Sequence, residues 1–175
     1  FTYSSMTTPS QTYDFNIVDQ SRELRQEQEV PSGHDPAAYI TRRLPATSHD
    51  GVDVPISLLY HKDTPLDGSA PVLLYGYGSY GMSMPASFST NRYSLVDRGY
   101  IYAIAHIRGG TEKGYGWYLD GKLQKKRNTF LDFIAAADHL IAENLTRAGQ
   151  IAIHGGSAGG MLVGACANMR PNLWG

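Results

Sequence analysis

The sequence predicts an α/β fold with a largely parallel sheet, and three observations lead there. Ile151-Ala152-Ile153-His154 is a short apolar strand that runs through Gly155-Gly156-Ser157-Ala158-Gly159 into a helix of small residues. Pro71–Tyr75 and Tyr100–Ala105 are near-continuous apolar runs, as expected of strands buried on both faces of a parallel sheet. Thr129–Leu145 places Phe130, Phe133, Ile134, Ala137, Leu140 and Ile141 along one helical face.

Taken along the chain, residues 1–18 read as two β segments, Phe1–Met6 and Gln11–Val18, broken at Thr7-Thr8-Pro9-Ser10. Residues 19–36 are polar, with few apolar side chains and prolines at 31 and 36, which is the texture of a solvated connector between domains. Tyr39–Thr47 and Val52–Tyr60 flank Ser48-His49-Asp50-Gly51 and predict a β-hairpin. Asn91–Arg98 forms a short helix stopped by Gly99. Thr129 and Asp132 resemble a capping box at the start of the long helix. Ile151–His154 closes the series, so that strand–helix–strand–helix–strand–helix follows the hairpin.

Gly-x-Ser-x-Gly between a strand and a helix is a nucleophile elbow, which lifts a serine hydroxyl above the carboxyl edge of a sheet. Gly155 and Gly159 remove the Cβ atoms that would collide where strand and helix pass. Ser157 is the candidate nucleophile, and the Ala158 amide, at a helix N-terminus, is a candidate donor to a developing oxyanion. In this arrangement the acid and the histidine follow the serine in the chain. Here residues 158–175 hold no Asp, Glu or His, and all six histidines precede Ser157. With Phe1 at one end and Trp174-Gly175 at the other, the chain reads as an internal fragment of a longer enzyme, inactive and poorly packed by itself. A second oxyanion donor is expected from the loop Tyr75-Gly76-Tyr77-Gly78-Ser79-Tyr80-Gly81, where glycines let the backbone bend and phenols project.

Composition narrows the partners. A net charge of −1 offers no attraction to nucleic acid or an anionic membrane, and the apolar stretches are too short to span a bilayer. Cys166 is the single cysteine, so no internal disulfide forms, and it is expected as a packed core thiol. No Cys/His grouping has metal-ligand spacing, and no cofactor is expected. Arg108-Gly109-Gly110 is expected to scaffold a loop at the carboxyl edge. Lys122, Lys125, Lys126 and Arg127 are expected as a solvated basic face. His154 is expected as a core histidine rather than a base.

Several motifs together resemble the prolyl oligopeptidase family of serine peptidases. They are Tyr75-Gly76-Tyr77-Gly78-Ser79-Tyr80-Gly81; Arg108-Gly109-Gly110 with Trp117-Tyr118; Gly121-Lys122-Leu123 with Lys125-Lys126; Asn128-Thr129-Phe130 with Asp132-Phe133; and the elbow itself. The Ser79-Tyr80-Gly81 form of the loop and the Gly-Lys-Leu…Lys-Lys run are most similar to the oligopeptidase B branch. Tyr3-Ser4-Ser5-Met6-Thr7-Thr8-Pro9 resembles the last propeller strands that precede the family's hydrolase domain.

The resemblance implies an α/β-hydrolase catalytic domain. Residues 1–18 would end a β-propeller, 19–36 would link, and 37–175 would be the N-terminal part of the hydrolase domain. It implies Ser157 as nucleophile, with Tyr77 and the Ala158 amide as the oxyanion hole. Tyr75 would then pack beneath the sheet. The implied substrates are oligopeptides cleaved after Arg or Lys, in the cytoplasm, and the catalytic Asp and His would lie beyond Gly175, in the remainder of the parent chain. A prolyl oligopeptidase, an acylaminoacyl peptidase or a non-catalytic binding homologue are the alternatives. One departure stands out: the branch's bacterial pattern carries two acidic residues after the glycine-tyrosine loop, where this chain has Pro85 and Ser87. A preference for two basic residues in the substrate is therefore not expected to be strong.

Overall fold

The computed structural model describes residues 1–175. In chain order it contains β1 (Thr2–Tyr3), β2 (Gln11–Phe15), β3 (Arg22–Glu27), β4 (Tyr39–Thr47), β5 (Asp53–His61), β6 (Val72–Tyr75), α1 (Thr90–Val96), β7 (Ile101–Ala105), α2 (Tyr115–Leu119), α3 (Arg127–Ala142), β8 (Ile151–His154) and α4 (Ala158–Met169). The strands form a three-stranded sheet, β1-β2-β3, and a five-stranded sheet in the order β4-β5-β7-β6-β8.

The larger sheet is mixed. β4 and β5 form the expected hairpin across Ser48–Val52, and β5 runs antiparallel to β7. β7, β6 and β8 are parallel to one another, with Tyr75 opposite Ile104 on one side and His154 on the other. Chains leaving β6 and β8 therefore emerge side by side at one edge, which brings the glycine-tyrosine loop next to the serine turn.

Helices cover both faces. α3 turns Phe133, Ala136, Ala137 and Leu140 inward, all fully buried, against Ile56, Leu58, Val72, Leu74 and Ile101 from the strands. α4 adds Leu162 and Cys166 to the same core. On the opposite face, Tyr93 and Val96 of α1 pack on Leu59, Tyr102 and Ile104, and Met6 from the N-terminal segment completes this smaller cluster. The Tyr93 hydroxyl donates to the Met6 carbonyl at 2.6 Å, which ties the segment after β1 to the larger sheet.

Three expectations change on contact with the structure. The polar stretch 19–36 is not wholly a connector, because Arg22–Glu27 pairs antiparallel with β2. Every residue of β3 is exposed, so no burial alternation marks it. Backbone pairing with β2 holds it instead. The long helix starts at Arg127 and ends at Ala142 rather than spanning Thr129–Leu145. Thr129 and Asp132 do not form a capping box. The Thr129 hydroxyl donates to the carbonyls of Arg108 and Gly121, and Asp132 binds Arg108. Tertiary partners have taken the groups that a local cap would use.

Leu140 is fully buried in the main core, whereas Glu143, one turn on, is exposed. Leu140→Ala in the full-length protein is expected to cost about 2–5 kcal/mol through lost burial and a residual cavity. Glu143→Ala should stay within about 0.5 kcal/mol of wild type. Chemical denaturation followed by tryptophan fluorescence compares the two.

Candidate active site

The turn after β8 places Ser157 at φ 54° and ψ −120°, a positive-φ conformation that a residue with a side chain adopts only under constraint. Its backbone neighbours supply that constraint. A Cβ on Gly155 would run into the Gly159 carbonyl, so strand and helix can approach this closely only through glycine. The Ser157 side chain is exposed and caps no amide of α4, which leaves its hydroxyl free above the sheet edge. Ala158 is the first residue of α4, so its amide belongs to the positive end of a twelve-residue helix.

Tyr77 lies against this turn. A Cβ on Gly159 would stand 3.0 Å from the Gly76 carbonyl oxygen, 3.8 Å from Tyr77 Cα and 3.7 Å from Tyr77 Cδ2. The Gly76 amide also donates to the His154 carbonyl at 3.2 Å, which joins the loop to the last residue of β8. The structure thus brings Tyr77, Ala158, Gly155 and Gly159 together around Ser157. Tyr75 is half-buried on the other side of the loop, its hydroxyl 3.3 Å from Met84 Sδ and its ring against His154.

The loops around the site are anchored by Arg108, which follows β7. Its guanidinium is buried and is bonded on two sides. Nε and Nη2 donate to the Asp132 carboxylate at 2.8 and 2.6 Å. Nη1 and Nη2 donate to Asp50 at 2.5 and 3.2 Å. The Arg108 amide reaches Asp132 as well, at 3.0 Å, and the Ser48 hydroxyl donates to the same carboxylate at 2.6 Å. Burial works against the arginine charge, but the hydrogen bonds to Asp132 and Asp50 outweigh it and push its pKa up. The Arg108 hydrogen bond holds the Asp50 carboxyl below the usual range. The stability this adds is present above the ordinary carboxylate pKa and is lost as pH falls through the lowered one.

Other expectations meet mixed outcomes. Arg108 scaffolds its loop, as its position suggests. Cys166 is fully buried, and burial pushes its thiol up to about 12. Lys126 departs from the solvated basic face. Its ammonium is half-buried and donates to the Gly78 carbonyl at 2.5 Å and to the Ser79 hydroxyl at 2.9 Å. Lys125, by contrast, is exposed and pairs with Asp120. His154 is not a core histidine. As the last residue of β8 it alternates away from Ile153 and lies exposed on the rim of a groove of about 450 Å³ with Leu73, Tyr75 and Met84. Ser48, Asp50, Asp132 and Lys126 brace these loops, a task the sequence does not announce. Lys126 and Asp132 fall within the motifs of the resemblance, but their local setting suggests a surface charge and a helix cap.

No group of His, Cys, Asp or Glu is placed to hold a metal ion. No helix is long and apolar enough to cross a membrane.

An α/β sheet that ends a parallel strand on a strained, exposed serine at a helix N-terminus is the architecture of a serine hydrolase. Comparison with known proteins narrows that class. The model of the prolyl oligopeptidase family matches residues 86–175. This chain belongs to the prolyl oligopeptidase family, whose members are serine peptidases. It is similar to dipeptidyl aminopeptidase BI of Pseudoxanthomonas mexicana, at 49% identity over 99% of this chain and 24% of that protein. Protease 2 of Moraxella lacunata is 44% identical over 98% of this chain and 25% of its own length. Among solved structures, oligopeptidase B from Trypanosoma brucei with covalently bound antipain superposes with a TM-score of 0.94 at 49% identity, covering 99% of this chain and 24% of that one. The chain thus spans about a quarter of the length of these relatives.

The buried network makes a stability prediction with an internal control on one helix. Asp132→Ala leaves Arg108 short of its main partner in a dry site and is expected to cost about 3–5 kcal/mol. Asp138 pairs with Arg170 on the surface, with both side chains nearly half exposed. Asp138→Ala should cost no more than about 1 kcal/mol. Denaturation midpoints of the two full-length variants test the ordering.

Proposed function

We propose that the full-length protein is an oligopeptidase B-like serine endopeptidase that cleaves oligopeptides after Arg or Lys through an acyl-enzyme on Ser157. The single observation that carries this is the joining of a strained serine turn to the Tyr77 loop through Gly159. Nothing in a plain βα connection calls for a positive-φ serine. The family membership and the 49% identity to an oligopeptidase B support the choice of branch. That relative is described with antipain bound covalently. A covalent adduct on Ser157 of this protein is the corresponding expectation.

In the proposed reaction the Ser157 oxygen attacks the scissile carbonyl, and its proton passes to a histidine supplied by the remainder of the protein. The carbonyl π electrons move onto oxygen, where the Tyr77 hydroxyl and the Ala158 amide donate to the negative charge. Collapse of the tetrahedral species breaks the C–N bond, and the histidine returns the proton to the leaving amine. Water then adds to the ester by the same route and frees Ser157.

In this reading residues 1–18 belong to the end of a β-propeller. Residues 19–36, with β3 inside them, lead into the hydrolase domain, whose N-terminal part is 37–175. A propeller beside the site would admit peptides and exclude folded proteins. The cytoplasm is the compartment this branch suggests. Pro85 and Ser87, where acidic residues would favour a second basic side chain, point to a single-residue preference.

Tyr77→Phe removes one oxygen and keeps the ring against Gly159. In the full-length enzyme, assayed with an arginyl-p-nitroanilide peptide, it is expected to lower kcat about 100-fold with little change in KM. Tyr75→Phe should be close to neutral, and Ser157→Ala should lower kcat by about a million-fold. A Tyr77→Phe enzyme with wild-type kcat would overturn the oxyanion assignment.

A further inference from the structure

Lys126 occupies a place that costs stability in two ways. It immediately precedes α3, where the helix dipole disfavours a cation, and Lys125 and Arg127 flank it. It is also half-buried, and burial pushes its pKa down. No carboxylate pairs with it. Its charge meets the Gly78 carbonyl, the Ser79 hydroxyl and, at 5.9 Å, the face of the Phe130 ring.

Both hydrogen-bonded partners lie in the glycine-tyrosine loop. Gly78 follows Tyr77 directly and sits at φ 66°, a left-handed turn that glycine adopts without strain. Its carbonyl is wedged against Gly109 on one side, and Lys126 is the side chain that satisfies it. Gly78 also packs closely on Thr129 and Ile107, and the loop is hydrogen-bonded at its ends by the Gly76 amide on the His154 carbonyl and the Gly81 amide on the Gly109 carbonyl. The lysine grips the middle, one residue past Tyr77. It also lines a pocket of about 330 Å³ with Ser79, Tyr80, Tyr118, Ala158 and Met161, so the grip lies beside the elbow.

We infer that Lys126 is a positioning residue for the oxyanion loop: by holding the Gly78 carbonyl and the Ser79 hydroxyl it fixes where the Tyr77 phenol stands relative to the Ala158 amide. This rests on the reading of Tyr77 as an oxyanion donor. The Lys126 ammonium hydrogen-bonds the loop and neither Ser157 nor Ala158, so its action on the site passes through the loop. Its removal should therefore be felt in the transition state and only while the Tyr77 hydroxyl is present. An oxyanion donor displaced by a fraction of an ångström loses most of its advantage, because the geometry must match the tetrahedral oxygen.

The test is a double-mutant cycle in the full-length enzyme on the arginyl substrate, with Lys126→Met, Tyr77→Phe and the pair. Lys126→Met keeps the length of the apolar stem and removes the ammonium donors. It is expected to lower kcat roughly tenfold, with KM within about twofold. Added to Tyr77→Phe, it should lower kcat by less than about twofold more, because its effect passes through the missing hydroxyl. Should Lys126→Met fail to fold, Ser79→Ala removes one of the two grips and leaves the lysine. A loss of about threefold that vanishes in the Tyr77→Phe background is then expected. A normal loss from Tyr77→Phe, together with a Lys126→Met effect that is absent or fully additive, overturns this inference alone. In the fallback, a Ser79→Ala effect that is absent or additive overturns it equally. Wild-type kcat in Tyr77→Phe overturns the oxyanion reading and this inference with it.

Discussion

A buried arginine between two carboxylates is the constraint on which the rest of this structure depends. Arg108 leaves the end of β7 and is met by Asp132 from α3 and Asp50 from the β4–β5 turn, with Ser48 on the Asp132 carboxylate. Surface pairs such as Arg25–Asp14 or Arg170–Asp138 contribute little, because water competes for both partners. The Arg108 pair with Asp132 is different, since both side chains are all but inaccessible. Bringing those charges out of water is costly, and geometry this complete is what offsets it. The arrangement fixes the angle at which the chain leaves the sheet, and it does so at the edge where the serine turn sits.

That angle matters because the loops beyond it touch through backbone. A Cβ on Gly109 would enter the Gly78 carbonyl, and one on Gly121 would meet the Gly109 amide. Three segments distant in sequence are therefore stacked main chain against main chain, with no side chain between them to absorb error. The first turn of α3 then locks the stack. Asn128 donates to the Asp120 carbonyl, and Thr129 donates to the carbonyls of Arg108 and Gly121. Lys126 and Asp132 add the Gly78 and Arg108 contacts. The helix that fills the core with Phe133 and Leu140 thus also holds the loops beside the serine turn, so packing and loop geometry share one rigid element.

The features legible in the sequence are those whose physics is local. Ile151–His154 is readable to the residue because an apolar run ends abruptly at glycines, and the elbow is readable because its glycines are a steric necessity. The β4–β5 hairpin follows from alternation around a turn. β3 escapes such a reading because an exposed strand buries nothing and leaves no pattern. α2, only five residues long and burying Trp117 alone, gives too short a period to read. Lys126 and Asp132 mislead for one reason: each looks like a surface charge or a cap until a loop distant in sequence arrives to accept or donate. His154 misleads the other way, since a strand residue beside a core is expected to face it.

A cost in stability is informative when the partner that offsets it lies at the site. Ser157 at positive φ, Lys126 at a helix start and Arg108 in the core all break rules that favour a relaxed fold. A chain selected for folding alone would relieve the first two by single substitutions and replace the Arg108 pair with apolar packing. All three lie at, or hold, the same few loops at the carboxyl edge of β6, β7 and β8. Strain and buried charge that converge on one edge of one sheet suit a site held ready before its ligand arrives, as the proposed oxyanion stabilisation by fixed donors requires.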